Sequence, residues 1–272
     1  MSIDRSGIGF IGCGKMAQAM IKGIVNSGMK SRFNISAHDV DTAVLSAACR
    51  QYGIRKEKSN LDVLKNNRII ILAVKPQTIA EALAPLKGSI TRAHLIISIA
   101  AGVSVKKIQG LLGTSCAVVR VMPNTPALVG EGAAGYSFSR EVGPKDKKTA
   151  VNILSTFCRV MVNVTEADIN KVTALSGSGP AYVFYFAEAM LQAAKLMNFD
   201  AAKAKSLIAQ TFIGAAELFA QSDESPDILR RNVTSKGGTT EKAISVMDAA
   251  GLKGNFIKAV ISAKKRADEL GK

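Results

Sequence analysis

The run Gly12-Cys13-Gly14-Lys15-Met16-Ala17 constrains this chain more than any other feature. It follows a short apolar stretch carrying Ile8, Phe10 and Ile11. It opens an amphipathic segment with Met20, Ile21, Ile24 and Val25 on one face. G-x-G-x-x-A between a strand and a helix is the phosphate turn of a dinucleotide-binding βαβ unit. Gly12 permits the tight turn, Gly14 lets the backbone approach a pyrophosphate, and Ala17 lets the helix pack on the strand. Unpaired N–H groups at the helix start then attract the phosphates. Alone the motif is weak; in this strand–turn–helix setting it is strong.

The alternation continues. "FNISAHDV" reads as a strand, "DTAVLSAACRQYG" as a helix ending at Gly53, and "NRIIILAV" as a buried strand. "KPQTIAEALAPLK" reads as a helix with Pro76 first, where a missing N–H is harmless. "AHLIISIA" is a strand, "SVKKIQGLLG" a helix and "CAVVRVM" a strand. Such alternation predicts an α/β, doubly wound, parallel sheet of Rossmann type. Ligands of such sheets bind at the carboxyl ends of the strands. That brings in Ala73, Val74, Lys75 and Pro76, then Ile99, Ala100 and Ala101, then Asn124 within "MPNTPAL". The second strand closes on His38 and Asp39. An acid there holds a ribose 2′-hydroxyl and favours NAD, whereas His38 would accept a 2′-phosphate. Asp39 serves equally well as a cap for the next helix, so NADH against NADPH stays open.

Beyond Val164 the strands stop, which sets two domains, 1–164 and 165–272. Helical patterning covers roughly 167–197, 200–221, 240–250 and 255–270. "PAYVFYFAEAMLQAAKLM" is apolar on almost every face and reads as buried all round. About a hundred residues cannot easily surround such a helix, so a second copy of the chain is expected to cover it. The second part therefore reads as an all-α dimerisation domain. Two glycine-rich turns precede helices there: "SGSGPAY", with Ser176 and Ser178, and "NVTSKGGTTEKAI", with Ser235, Gly237, Gly238, Thr239 and Thr240. Each offers backbone N–H groups and hydroxyls. Beside a dinucleotide-binding fold, the pair suggests a carboxylate pocket.

The formal net charge is +15, yet the basic residues are scattered and aromatics are only 5%. Neither a basic stripe nor a stacking platform for nucleic acid is present. A broadly positive field suits anionic small molecules. The apolar runs are too short to cross a bilayer. The opening "MSIDRSGIGFIG" lacks a signal-peptide layout, so a cytoplasmic location is expected. Cys13, Cys49, Cys116 and Cys158 form no metal-ligand pattern, and no metal site is expected. Cys13 draws notice because its glycine loop suggests accessibility.

The chain resembles the pyrroline-5-carboxylate reductase family. The carriers are "GFIGCGKMAQAM", "LAVKPQ", "SIAAGVS", "MPNTPALVGEG", "ALSGSGPAYVF" and "NVTSKGGTTEKAI", in family order along essentially the whole chain. The resemblance implies a helical dimer, in some members built into decamers, that reduces the cyclic imino acid Δ1-pyrroline-5-carboxylate to L-proline with NADPH or NADH. It implies cofactor contacts at Ile11, Gly12, Cys13, Gly14, Lys15, Met16, Asn60, Ala73, Val74, Lys75, Pro76, Ile99, Ala100 and Ala101. It implies a substrate carboxylate at the turn from Ser235 to Thr240, with the Thr240 hydroxyl near the ring nitrogen. Two departures stand out: Lys236 replaces the proline of the family's S-P-G-G-T, and Asp227 stands where glycine is common.

The chemistry fits a chain without a visible acid–base pair. An imine can enter already protonated, so a strong protein acid is not obligatory and catalysis rests mainly on holding cofactor and ring in reactive geometry. Thr240 is the catalytic candidate, hydrogen-bonding the nitrogen. One rival is a β-hydroxyacid-type dehydrogenase, but apolar residues occupy "SGSGPAYVFYF" where its catalytic lysine belongs. The other is a non-enzymatic nucleotide-binding or nucleic-acid-binding protein, against which the intact substrate-side turns argue.

Overall fold

The computed structural model describes residues 7–29 and 33–271. All of "MSIDRS", on which the signal-peptide reading partly rests, lies outside them. The described residues fall into two compact units. One runs to Pro180 and includes the chain end from Ala263; the other is Ala181–Ser262.

The first unit carries an eight-stranded sheet in the order β3-β2-β1-β4-β5-β6-β7-β8. Its strands are β1 (Ile8–Ile11), β2 (Ile35–His38), β3 (Arg55–Lys56), β4 (Ile69–Leu72), β5 (Leu95–Ser98), β6 (Ala117–Pro123), β7 (Gly132–Phe138) and β8 (Cys158–Asn163). All pairs are parallel except β6 with β7. β1, β4 and β5 are buried along their whole length, as strands covered by helices on both faces must be. Two apolar clusters flank the sheet. Phe10, Met20, Ile24 and Leu154 belong to one, Ile70, Leu83, Ile96 and Ile108 to the other.

The helices of this unit are α1 (Lys15–Asn26), α2 (Thr42–Tyr52), α3 (Asn60–Asn66), α4 (Ile79–Leu83), α5 (Val105–Leu112), α6 (Pro144–Leu154) and α7 (Ile169–Val172). The helix expected over "KPQTIAEALAPLK" is broken into a 3₁₀ turn, α4 and a second 3₁₀ turn. Pro85 ends α4: it lacks an N–H and its ring would meet the carbonyl one turn back. The continuous helix expected over 167–197 is likewise divided. After α7 comes a π turn, Thr173–Gly177, and then α8 (Gly179–Leu196). The sheet is also wider than expected. "GAAGYSF" has two glycines, two alanines and no β-branched residue, yet forms β7 because β6 and β8 pair with both its edges. The sequence boundary falls at Val164. The strands have ended there, but α7 and the π turn remain with the sheet, where Ile169, Thr173 and Ala174 are buried.

The second unit contains most of α8, then α9 (Ala201–Gln221), α10 (Pro226–Asn232), α11 (Thr239–Ala249) and the first part of α12 (Leu252–Leu270). Its small core is Ala194, Ala204 and Ile208. The burial expected all round α8 is not found within this chain: Val183, Phe184, Tyr185 and Met190 are exposed, and Ala194 alone is buried on that helix. Exposed apolar surface of this extent marks an interaction face.

Candidate active site

Parallel pairing brings distant segments to one edge. The register sets Ile11 beside His38 and Leu72, and Leu72 beside Ser98. The turns after β1, β2, β4 and β5 therefore leave the sheet side by side. They carry Gly12, Asp39, Ala73 and Ile99, four of the residues singled out from the sequence. β6 extends to Pro123 and presents Asn124 just beyond it.

The phosphate turn has the geometry its residues predict. Gly12 sits at φ +94°, and a Cβ there would lie 2.7 Å from the Ala73 carbonyl oxygen. Gly14 caps α1 with φ −67° and ψ −177°, and nothing comes within 4 Å of the position of its Cβ. No side chain caps α1. Its first-turn N–H groups, including those of Lys15 and Met16, therefore face an open approach with the helix dipole behind them. Cys13 differs from its sequence reading. It is fully buried, and its thiol is pushed up to about 11, by burial first and then by the charges of Asp39 and Cys49. It is an inert packing residue. Its backbone N–H donates to Asp39 Oδ2 at 2.6 Å, and Gln18 Nε2 donates to its carbonyl at 2.9 Å.

Asp39 is thus already engaged. Its other oxygen accepts from the Asp41 N–H at 2.8 Å, and the cap of α2 is supplied by Asp41 instead. His38 and Asn60 form a pair, with Nδ1 and Oδ1 2.7 Å apart. Asn60 Nδ2 donates to the Ala82 carbonyl, so its oxygen is the acceptor and His38 Nδ1 carries the proton. His38, Asp39, Asn60, Gly12 and Val74 line a cleft of about 400 Å³. Ser59, Thr78 and Glu81 are among the other residues of its wall and were not singled out from the sequence. Ser59 was legible, since a serine before an apolar-periodic run signals a helix cap, and its side chain accepts from Asp62 N. Lys75 is exposed and precedes the 3₁₀ turn at Pro76.

At the other end of the edge, Asn124 Oδ1 accepts from Ala133 N at 2.8 Å and its Nδ2 donates to Ser176 Oγ at 3.2 Å. Ser176 lies in the π turn, whose wide bond runs from Ser178 N to the Thr173 carbonyl at 2.8 Å. π turns inside helices recur at functional sites. Asn124 and Ser176, read from separate motifs, are therefore neighbours.

The turn from Ser235 to Thr240 belongs to the second unit. Gly238 is the N-cap of α11. Sequence reasoning missed Glu241, whose Oε2 accepts from Gly237 N at 2.6 Å. The spacing of an acid three residues after the cap was the available signal. Gly238 N donates to the Ser235 carbonyl at 3.1 Å. The N–H groups of Thr239, Thr240 and Glu241 open the helix and have no carbonyl within it to bind. Among the described residues no group of three or more histidine, cysteine or carboxylate side chains is arranged to hold a metal. No helix there is long and apolar enough to cross a membrane.

A doubly wound sheet with an open G-x-G-x-x-A turn defines a dinucleotide-binding oxidoreductase. Comparison with known proteins narrows this. Residues 166–270 match the family model described as pyrroline-5-carboxylate reductase dimerisation, and residues 7–102 match NADP oxidoreductase, coenzyme F420-dependent. A pyrroline-5-carboxylate reductase of Methanosarcina acetivorans is 41% identical over 99% of this chain and 100% of its own length. The solved pyrroline carboxylate reductase of Plasmodium falciparum, with NADP bound, superposes with a TM-score of 0.89 at 28% identity, covering 100% of both chains. That of Coxiella burnetii gives 0.84 at 36% identity, over 99% of this chain and 100% of the other. The chain belongs to the pyrroline-5-carboxylate reductase family.

Proposed function

We propose that this chain reduces Δ1-pyrroline-5-carboxylate to L-proline with a reduced nicotinamide cofactor, the final step of proline biosynthesis. The observation that carries the reading is the match over 99% of the chain, which takes in both the phosphate turn and the α11 turn. The β-hydroxyacid alternative is not favoured.

The nicotinamide supplies the hydride to the C=N carbon. The chain's residues bind and orient. The open N–H groups of α1 and the bare Gly14 fit a pyrophosphate, and the cleft beside His38 and Asn60 fits an adenosine ribose. NADPH is the preferred cofactor in this reading, with NADH as the alternative. Asp39, held by two backbone N–H groups, is less available to a ribose hydroxyl, and the imidazolium form of His38, with Nδ1 given to Asn60, would donate from Nε2 to a 2′-phosphate. His38→Leu is expected to lower kcat/KM for NADPH about tenfold relative to that for NADH, the scale of one charge-assisted hydrogen bond. Paired initial-rate measurements check this, and an unchanged ratio removes His38 from the choice.

The substrate carboxylate is assigned to the N–H groups of Thr239 and Thr240, with Ser235, Gly237 and Gly238 shaping the turn and Lys236 adding a cation. Ser176 and Ser178 are the further substrate-binding residues of this reading, and Asn124 orients Ser176. Thr240 Oγ1 meets the ring nitrogen and stabilises its proton. Glu241 places a negative charge beside this anion site. Glu241→Gln keeps an acceptor for Gly237 N, and at about 1 kcal/mol for charges 4 Å apart in water it should lower substrate KM about fivefold with kcat unchanged. A steady-state KM that does not fall would place the substrate carboxylate elsewhere.

The exposed apolar face of α8 and the dimerisation-family match support a homodimer, with a decamer as the larger assembly the resemblance implies. The cytoplasm is the compartment assigned. NADPH deuterated at both C4 positions tests the chemistry: label should appear in proline on the ring carbon next to nitrogen and remote from the carboxylate. Unlabelled proline would exclude direct transfer.

A further inference from the structure

Arg120 is out of place. It lies on β6 between the buried Val119 and Val121 and is itself only 4% exposed. Burying a cation carries a desolvation cost that a partner as exposed as Glu166, at 42%, offsets only in part, so stability alone is a poor reason to keep it. Its contacts give a better reason. Nη1 lies 3.3 Å from Glu166 Oε1, and the same oxygen accepts from Val105 N at 2.7 Å, the first N–H of α5. Nη2 lies 3.5 Å from Asn170 Oδ1, and Asn170 Nδ2 donates to Asp268 Oδ1 at 2.9 Å. Lys264 pairs with the other oxygen of Asp268 at 2.7 Å. One buried cation thereby ties together the start of α5, the turn of α7 and the last turn of α12.

Two of these, the start of α5 and the end of α12, flank a single feature, the turn of residues 99–102. Ser98, the residue before it, lies directly across from Arg120 in the sheet. α5 follows it, with its first N–H held by Glu166. The end of α12 sits on it: a Cβ at Gly102, whose φ is +74°, would lie 2.8 Å from Leu270 Cβ and 2.9 Å from the Ala267 carbonyl. The turn leaves β5, two strands and so about 10 Å from the phosphate turn of β1, on the side away from the His38 cleft. A dinucleotide with its adenosine at His38 must reach its nicotinamide end toward β5.

We propose that Arg120, Glu166, Asn170 and Asp268 form a latch that positions the 99–102 turn under the nicotinamide half of the cofactor. Arg120 and Glu166 are positioning residues; neither touches a reacting atom. The inference rests on the cofactor reading above. It predicts that loosening the latch weakens contacts to the nicotinamide half and leaves the adenosine half alone.

The test is calorimetric titration of the intact protein, without substrate, against NADPH and against 2′-phospho-ADP-ribose, which lacks the nicotinamide. Glu166→Ala should weaken NADPH about tenfold, the scale of one lost hydrogen bond to a charged group, and shift the fragment less than about twofold. Asp268→Ala, on a part-exposed helix face, should weaken NADPH about threefold and carries the test should Glu166→Ala not fold. Asp268→Asn retains an acceptor for Asn170 and should bind as the parent does. NADPH affinity unchanged in both alanine variants overturns the latch, as does an equal loss for both ligands. A parent protein that binds neither ligand overturns the cofactor reading and the latch with it.

Discussion

Gly12→Ala is expected to lower affinity for the nicotinamide cofactor more than about a hundredfold and to destabilise the first unit by about 2–4 kcal/mol. Two effects add. Alanine at φ +94° costs about 1–2 kcal/mol for its backbone conformation. Its Cβ would also stand 2.7 Å from the Ala73 carbonyl oxygen, which belongs to backbone and cannot swing aside. Relief requires β1 and the turn after β4 to separate, and Ala73 N is bonded to the Ile11 carbonyl at 2.8 Å. The phosphate turn then loses its shape as well as its stability. Gly14→Ala is the control. Its backbone angles suit any residue and its surroundings are empty, so the fold should melt as the parent does while the pyrophosphate meets an unwelcome methyl group. Thermal melts with and without NADPH separate the two. A Gly12→Ala protein that binds NADPH normally would mean the turn is not the phosphate site.

Thr240→Val is expected to keep fold and cofactor affinity and to lower kcat/KM about 10–100-fold. Valine matches threonine in shape but removes the hydroxyl assigned to the ring nitrogen. One hydrogen bond to a charged group is worth roughly 1.5–3 kcal/mol, which sets that range. Thr240 is the second residue of α11 and only part-exposed, so the backbone N–H groups of the turn survive the change. The loss should therefore fall on kcat more than on KM. Steady-state rates with varied substrate decide it, and unchanged kcat/KM takes Thr240 out of the site.

Much of this was legible because the relevant residues answer to local rules. The glycine turn is strand, turn and helix within twenty residues, and its geometry follows from steric limits on a few φ angles. The strands β1, β4 and β5 announce themselves as unbroken apolar runs. What escaped depended on partners far along the chain. β7 has no strand-like composition and exists because two other strands flank it. Asp39 reads as a ribose-binding acid, and only the fold shows that it also accepts the Cys13 N–H. Cys13 looks accessible from its loop and is buried by the helix that follows. Arg120 reads as an interruption in an apolar strand, and only Glu166 and Asn170, some 46 and 50 residues on, give it a reason. Glu241 is the exception, a local signal of capping spacing overlooked beside the more conspicuous glycines. The all-round apolarity of α8 was read correctly as a demand for cover, and the surface left exposed on this chain is that same demand seen in three dimensions.

The reaction is measured most directly by the absorbance of reduced nicotinamide. Purified protein is mixed with NADPH or NADH, with and without Δ1-pyrroline-5-carboxylate. The expected result is a fall that requires the substrate, is faster with NADPH, and yields one proline for each cofactor oxidised. Cofactor binding without substrate-dependent oxidation of either nucleotide would contradict it.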